Sequence, residues 1–169
     1  VDREASVTFD EWAATRLPAM LRYAAVLTGD TGLAEDVVQE VLIRAHARWR
    51  RISGLEQPDA YIRRMITNEY LSWRRRLARF TPMADIRPSV SVADHAIQHA
   101  DRDALRAELA RLPRQHRAVL VLRYYENLTD AEIADVLGCS TGTVRGYASR
   151  ALATLRVDAT ARELLKGQP

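Results

Sequence analysis

Between Thr129 and Leu155 the chain reads TDAEIADVLGCSTGTVRGYASRALATL, and its cap, apolar, small and glycine positions fall where a helix-turn-helix needs them. Thr129 opens a T-x-x-E capping box with Glu132, which predicts a short helix from Asp130 with Ile133, Ala134 and Leu137 on one face. Gly138 stops that helix, because glycine tolerates the left-handed backbone a sharp turn requires. Cys139 and Ser140 complete the turn, and Ser140 or Thr141 caps a second helix in which Val144, Tyr147 or Ala148, Ala151, Leu152 and Leu155 recur at helical spacing. Ala134 is small enough for the two helices to cross closely. The outer face of the second helix then carries Thr141, Thr143, Arg145, Gly146, Ser149 and Arg150, short polar groups and arginines suited to base edges and phosphates of duplex DNA. A helical hairpin that only packs is the alternative.

The remainder is also helical in pattern. Thr8 and Glu11 form a second capping box, followed at helical spacing by Phe9, Trp12, Ala13, Leu17, Met20, Leu21, Ala24 and Leu27, so a first helix is expected to run to about Thr28 before Gly29. A second helix is expected from Gly32 to Arg51 with Leu33, Val37, Val41, Ala45 and Trp49 along one side, and Ile52 to Gln57 read as a loop. Pro58 suits the start of a third helix towards Arg79, containing Ala60, Tyr61, Ile62, Met65, Ile66 and Leu71. From Phe80 to about Ala93 the periodicity fails around Pro82 and Pro88, which predicts an extended linker. Residues 94–111 look helical, and Pro113 opens another helix with Ala118, Val119, Leu122 and Tyr125; Lys166 to Pro169 read as a tail. The expected fold class is all-α, with two small helical domains joined by a flexible linker and the helix-turn-helix in the second. The domain limits are placed at 1–80, 81–100 for the linker, and 101–169.

At 169 residues and 47% hydrophobic content the chain is long enough for real cores. Its formal charge is only +3, so the distribution says more than the total. Residues 61–80 hold six arginines against one glutamate, whereas residues 28–42 hold Asp30, Glu35, Asp36 and Glu40 with no basic side chain. Such segregation suits two different partners, with solvated helix faces as the alternative. One cysteine excludes an internal disulfide and fits a reducing cytosol. There is no membrane-length apolar run and no secretory stretch, so a cytoplasmic location is expected. Clustered carboxylates, a phosphate-cradling glycine loop and a hydrolase nucleophile motif are all missing, which argues against an enzyme. No cofactor and no metal site is expected; His95 and His99 share a helix face but lack further ligands.

Three segments together carry a resemblance: AEDVVQEVLIRAHARW at 34–49, PDAYIRRMITNEYLSWRRR at 58–76 and LPRQHRAVLVLRYYENLTDAEIADVLGCSTGTVRGYASRALATLR at 112–156. In this order, with a proline-containing linker between, the chain resembles a bacterial sigma factor of the extracytoplasmic-function group, which consists of regions 2 and 4. The resemblance implies a dissociable subunit that binds core RNA polymerase, recognises the two elements of promoter DNA and starts strand opening. It also implies a separate anti-sigma factor that covers the polymerase-binding surfaces.

Asp36, Gln39, Glu40 and Ile43 lie on adjacent turns and can present one face to a partner helix, which by resemblance belongs to the polymerase clamp. Arg64, Asn68 and Ser72 or Arg75 share a stripe of the third helix, with Tyr70 and Trp73 interleaved, a pattern suited to single-stranded DNA. Core packing is the alternative for Tyr61, Tyr70 and Trp73, and the favoured one for Tyr61. The family resemblance places −10 melting here and base capture in the preceding loop, Arg51 to Gln57, including Arg51 and Ser53. It maps −35 recognition onto the second helix of the helix-turn-helix, where Arg145 is best suited to guanine. Gly146-Tyr147 stands where many family members have Ser-Arg, which removes one cationic donor. The rival from another class is a helix-turn-helix regulator that binds duplex operators as a dimer.

Overall fold

The computed structural model describes residues 7–80 and 100–166, with side chains placed for 7–72 and 104–156. The chain divides into two compact units, one ending at Ser91 and one beginning at Val92. All described elements are helical.

In the first unit, α1 (Phe9–Thr28), α2 (Thr31–Ala47) and α4 (Pro58–Phe80) pack pairwise, with a short α3 (Trp49–Ile52) between α2 and α4. The start of α1 is set by the expected capping box: the Thr8 hydroxyl accepts from Glu11 N–H, and the Glu11 carboxylate accepts from Thr8 N–H. Gly29 ends α1 at φ 73°, and Asp30 caps α2 by accepting from Leu33 N–H at 2.7 Å. Tyr23, Leu27, Val37, Val38, Val41, Ile62, Ile66 and Tyr70 are buried between the three long helices. Tyr23 and Thr67 hydroxyls bond at 2.7 Å inside this core, tying α1 to α4. At the outer end of the same pair, Asp59 accepts from the Trp12 indole and pairs with Arg16.

The second helix differs from the expected Gly32 to Arg51: it ends at Ala47, and the chain turns at Arg48 into α3. The turn brings Trp49 onto the beginning of α1, where its ring lies 5.5 Å from Phe9 and 4.9 Å from Trp12, and its indole N–H reaches the Val7 carbonyl. A straight helix would forgo this aromatic cluster.

The second unit contains α5 (Ala100–Arg111), α6 (Arg114–Leu120), a π-helical turn (Val121–Tyr125), α7 (Asp130–Leu137) and α8 (Thr141–Lys166). Two sequence expectations shift here: Leu122 and Tyr125 lie in the π turn rather than in a continuous α-helix, and Lys166 is still helical. The helix towards Arg111 is described from Ala100, and residues 94–99 of its expected span lie outside the described residues. The π turn accommodates one extra residue, so Leu122 is buried at 2% exposure while Tyr124 and Tyr125 stay exposed. The expected linker and its His95 and His99 lie outside the described residues.

Candidate nucleic-acid interface

The helix-turn-helix forms as its caps dictate. Thr129 and Glu132 complete a reciprocal capping box, Gly138 ends α7 at φ 64° and ψ 40°, and Ser140 accepts from Thr143 N–H at 3.1 Å to begin α8. Val119, Leu122, Ile133, Ala134, Val144 and Ala148 form the core beneath it, with Leu128, Leu137, Cys139 and Tyr147 packed around the margin. That core fixes the roll of α8, and the roll decides which side chains face outward.

Thr141, Arg145, Ser149 and Arg150 are exposed on α8, in agreement with their expected placement. Thr143 and Gly146 are half-buried. The Thr143 hydroxyl is bonded to Ser140 at 2.9 Å, so part of its capacity serves the cap. An added methyl at Gly146 would meet nothing within 4 Å, so the α8 surface is open there. Arg145 is 71% exposed and its Nε lies 3.2 Å from Asp130 Oδ2. Behind Arg150, His116 packs against the Tyr147 ring at 5.1 Å; burial, then the Arg150 charge, push the imidazole pKa down.

In the first unit, Arg64 and Asn68 are exposed on α4, four residues apart. Arg51 is exposed on α3, and Ser53, half-buried, follows it at the helix end. Ser72 is half-buried and its hydroxyl donates to the Glu69 carbonyl. The Trp73 and Arg75 side chains lie outside the described residues. Two tyrosines exchange the roles expected of them. Tyr70 is buried at 2% exposure and cannot stack on a base, whereas Tyr61 is 38% exposed. Tyr61, Arg64 and Asn68 stand at i, i+3 and i+7, so the aromatic on this stripe is Tyr61. The signal was available: Ile62, Ile66 and Tyr70 at i, i+4 and i+8 are the inward row, and Tyr61 is one residue off it.

Asp36, Gln39, Glu40 and Ile43 are all exposed on α2, Ile43 to 61%. Gln39 and Ile43 also line an open groove of about 570 Å³ with Leu17, Leu21, Val38 and Leu42. Arg44 joins this face to α4 by pairing with Glu40 at 3.7 Å and with the buried carboxylate of Glu69. Among the described residues no group of three or more His, Cys, Asp and Glu is arranged to hold a metal, and no helix is long and apolar enough to cross a membrane.

The geometry defines a class first: among the described residues an all-helical protein, with a helix-turn-helix in one unit and an exposed helix face of Tyr61, Arg64 and Asn68 in the other. Residues 12–80 match the family model described as Sigma-70 region 2, and residues 102–155 that described as Sigma-70, region 4. The RNA polymerase sigma-E factor of Streptomyces avermitilis is 40% identical over 157 residues, spanning 92% of this chain and 87% of that protein. The ECF RNA polymerase sigma factor SigL of Mycobacterium tuberculosis is 36% identical over 152 residues, 85% of this chain and 84% of SigL. The sigma factor RpoE of Bartonella quintana, solved in complex with the anti-sigma factor NepR, has a TM-score of 0.68 at 27% identity, over 95% of this chain and 98% of that one. The chain belongs to the sigma-70 family, in its extracytoplasmic-function group of RNA polymerase sigma factors.

Proposed function

We propose that this chain binds core RNA polymerase as its promoter-specificity subunit, acts in the cytoplasm without catalysis of its own, and divides the work among three surfaces. The observation that carries this reading is the order of the two family regions along one chain, each with its polar face exposed. Residues 1–80 supply region 2, residues 101–169 region 4, and residues 81–100 the tether. Asp36, Gln39, Glu40 and Ile43 meet the polymerase, where an exposed acidic and apolar face suits a basic partner helix. Arg64 and Asn68, with Arg51, Ser53, Ser72, Trp73, Arg75 and the exposed Tyr61, hold the melted −10 strand through phosphate contacts, an amide on a base edge and an aromatic face. Thr141, Thr143, Arg145, Gly146, Ser149 and Arg150 meet the −35 duplex in the major groove. The Bartonella quintana protein was solved with an anti-sigma factor, and an inhibitor of that kind is the partner proposed to keep this chain from the polymerase.

Two substitutions separate the surfaces. Arg145→Ala is expected to weaken holoenzyme binding to duplex promoter by roughly tenfold, the worth of one good base contact. Asn68→Ala is expected to leave duplex binding near wild type and to slow strand opening, read by permanganate reactivity of unpaired thymines. Equal loss of both activities in both folded variants contradicts the division.

A further inference from the structure

The carboxylate of Asp130 stands between two arginines from different elements. Oδ1 accepts from Arg123 Nη2 in the π turn, and Oδ2 accepts from Arg145 Nε on α8. Asp130 is itself fixed as the first residue of α7, immediately after the capping-box Thr129. Arg123 and Asp130 are 24% and 28% exposed, whereas Arg145 is 71% exposed. The inner pair is therefore an anchor, and the outer arginine is the group it holds. Arg123 foremost, and then Arg145, lower the Asp130 pKa against the opposing effect of burial, so the aspartate is ionised through the neutral range.

This arrangement constrains how Arg145 meets a base. Nε is taken by Asp130, and the two terminal nitrogens make no other bond among the described residues. Those terminal nitrogens match the paired acceptors O6 and N7 of guanine. Holding a long side chain in its working geometry before contact also lowers the ordering cost of binding.

We propose that Asp130, anchored by Arg123, is a positioning residue that sets guanine specificity by presenting Arg145 end-on to one guanine of the duplex. The proposal rests on the reading of Arg145 as a base-contacting residue. An aspartate beside phosphates opposes general DNA affinity, so it trades affinity for discrimination.

The test uses the full chain with core polymerase and a duplex library randomised across the −35 window, scored by the enrichment of each base at each position. Wild type is expected to enrich guanine at one position, and Arg145→Ala to reduce that preference by roughly tenfold. Asp130→Ala is expected to reduce it at the same position by about threefold or more, leaving the other positions as in wild type and raising affinity for a scrambled duplex. Asp130→Glu, which keeps the charge, restores part of the preference. The proposal is overturned if folded Asp130→Ala retains full guanine preference or loses preference evenly at every position. If Arg145→Ala leaves every base preference unchanged, the base-reading role of Arg145 falls, and the proposal with it.

Discussion

Gly146 shows how a single missing side chain can be legible as unusual without being legible in purpose. Glycine inside a helix costs about 1 kcal/mol relative to alanine, and an added methyl here meets nothing within 4 Å. Gly146→Ala is therefore expected to raise the thermal stability of the chain by about that amount. If the bare backbone serves close approach to DNA, the same variant loses affinity for promoter duplex, which fluorescence anisotropy reads directly; unchanged affinity with a raised melting temperature removes Gly146 from the interface. Residue-level exposure was legible where a side chain belongs to a strong row and less so beside it. Asp36, Gln39, Glu40, Arg64, Asn68 and Arg145 are exposed as their spacing requires, but Tyr61 and Tyr70 traded places because both are aromatic and the favoured reading of Tyr61 placed it in the core. The Asp130 bridge was not legible at all, since Arg123 and Arg145 meet it across intervals that only the folded turn defines.

Helix ends were the most legible elements because their chemistry is local. The Thr8–Glu11 and Thr129–Glu132 boxes, the cap at Ser140 and the left-handed glycines at 29 and 138 all involve residues within three or four positions. This has a pH consequence. Hydrogen bonds from the Thr8 backbone and then its hydroxyl lower the Glu11 pKa, and hydrogen bonds from the Thr129 hydroxyl and then its backbone lower that of Glu132. A depressed folded pKa means that the stabilisation is present above the unfolded value and disappears as pH falls through the folded one. The melting temperatures of wild type and Glu132→Gln are therefore expected to differ at neutral pH and to converge in acid below the glutamate range. A gap that persists unchanged in acid would show that the carboxylate's charge is not its source. The break at Arg48 and the π turn were hidden for the opposite reason. Trp49 leaves the α2 line to reach Phe9 and Trp12, some forty positions earlier in the chain, and the π turn follows from how Leu122 must enter the α6–α8 core.

At the level of the whole molecule, two helical units and segregated charge were readable because each is a property of long stretches rather than of single contacts. The two units match region 2 and region 4 in that order, and α2 offers an acidic and apolar face while the described α4 stripe carries Tyr61, Arg64 and Asn68. A protein built only to occupy a duplex operator has no use for the α4 stripe or the α2 face. The most direct measurement is promoter-directed transcription by purified core RNA polymerase, with and without the full chain, on genomic fragments. Specific starts that appear only when the chain is added, preceded by shared −35 and −10 sequences, are the predicted result. Folded chain and active core that yield no specific starts, together with no binding of the chain to core polymerase, would contradict the account.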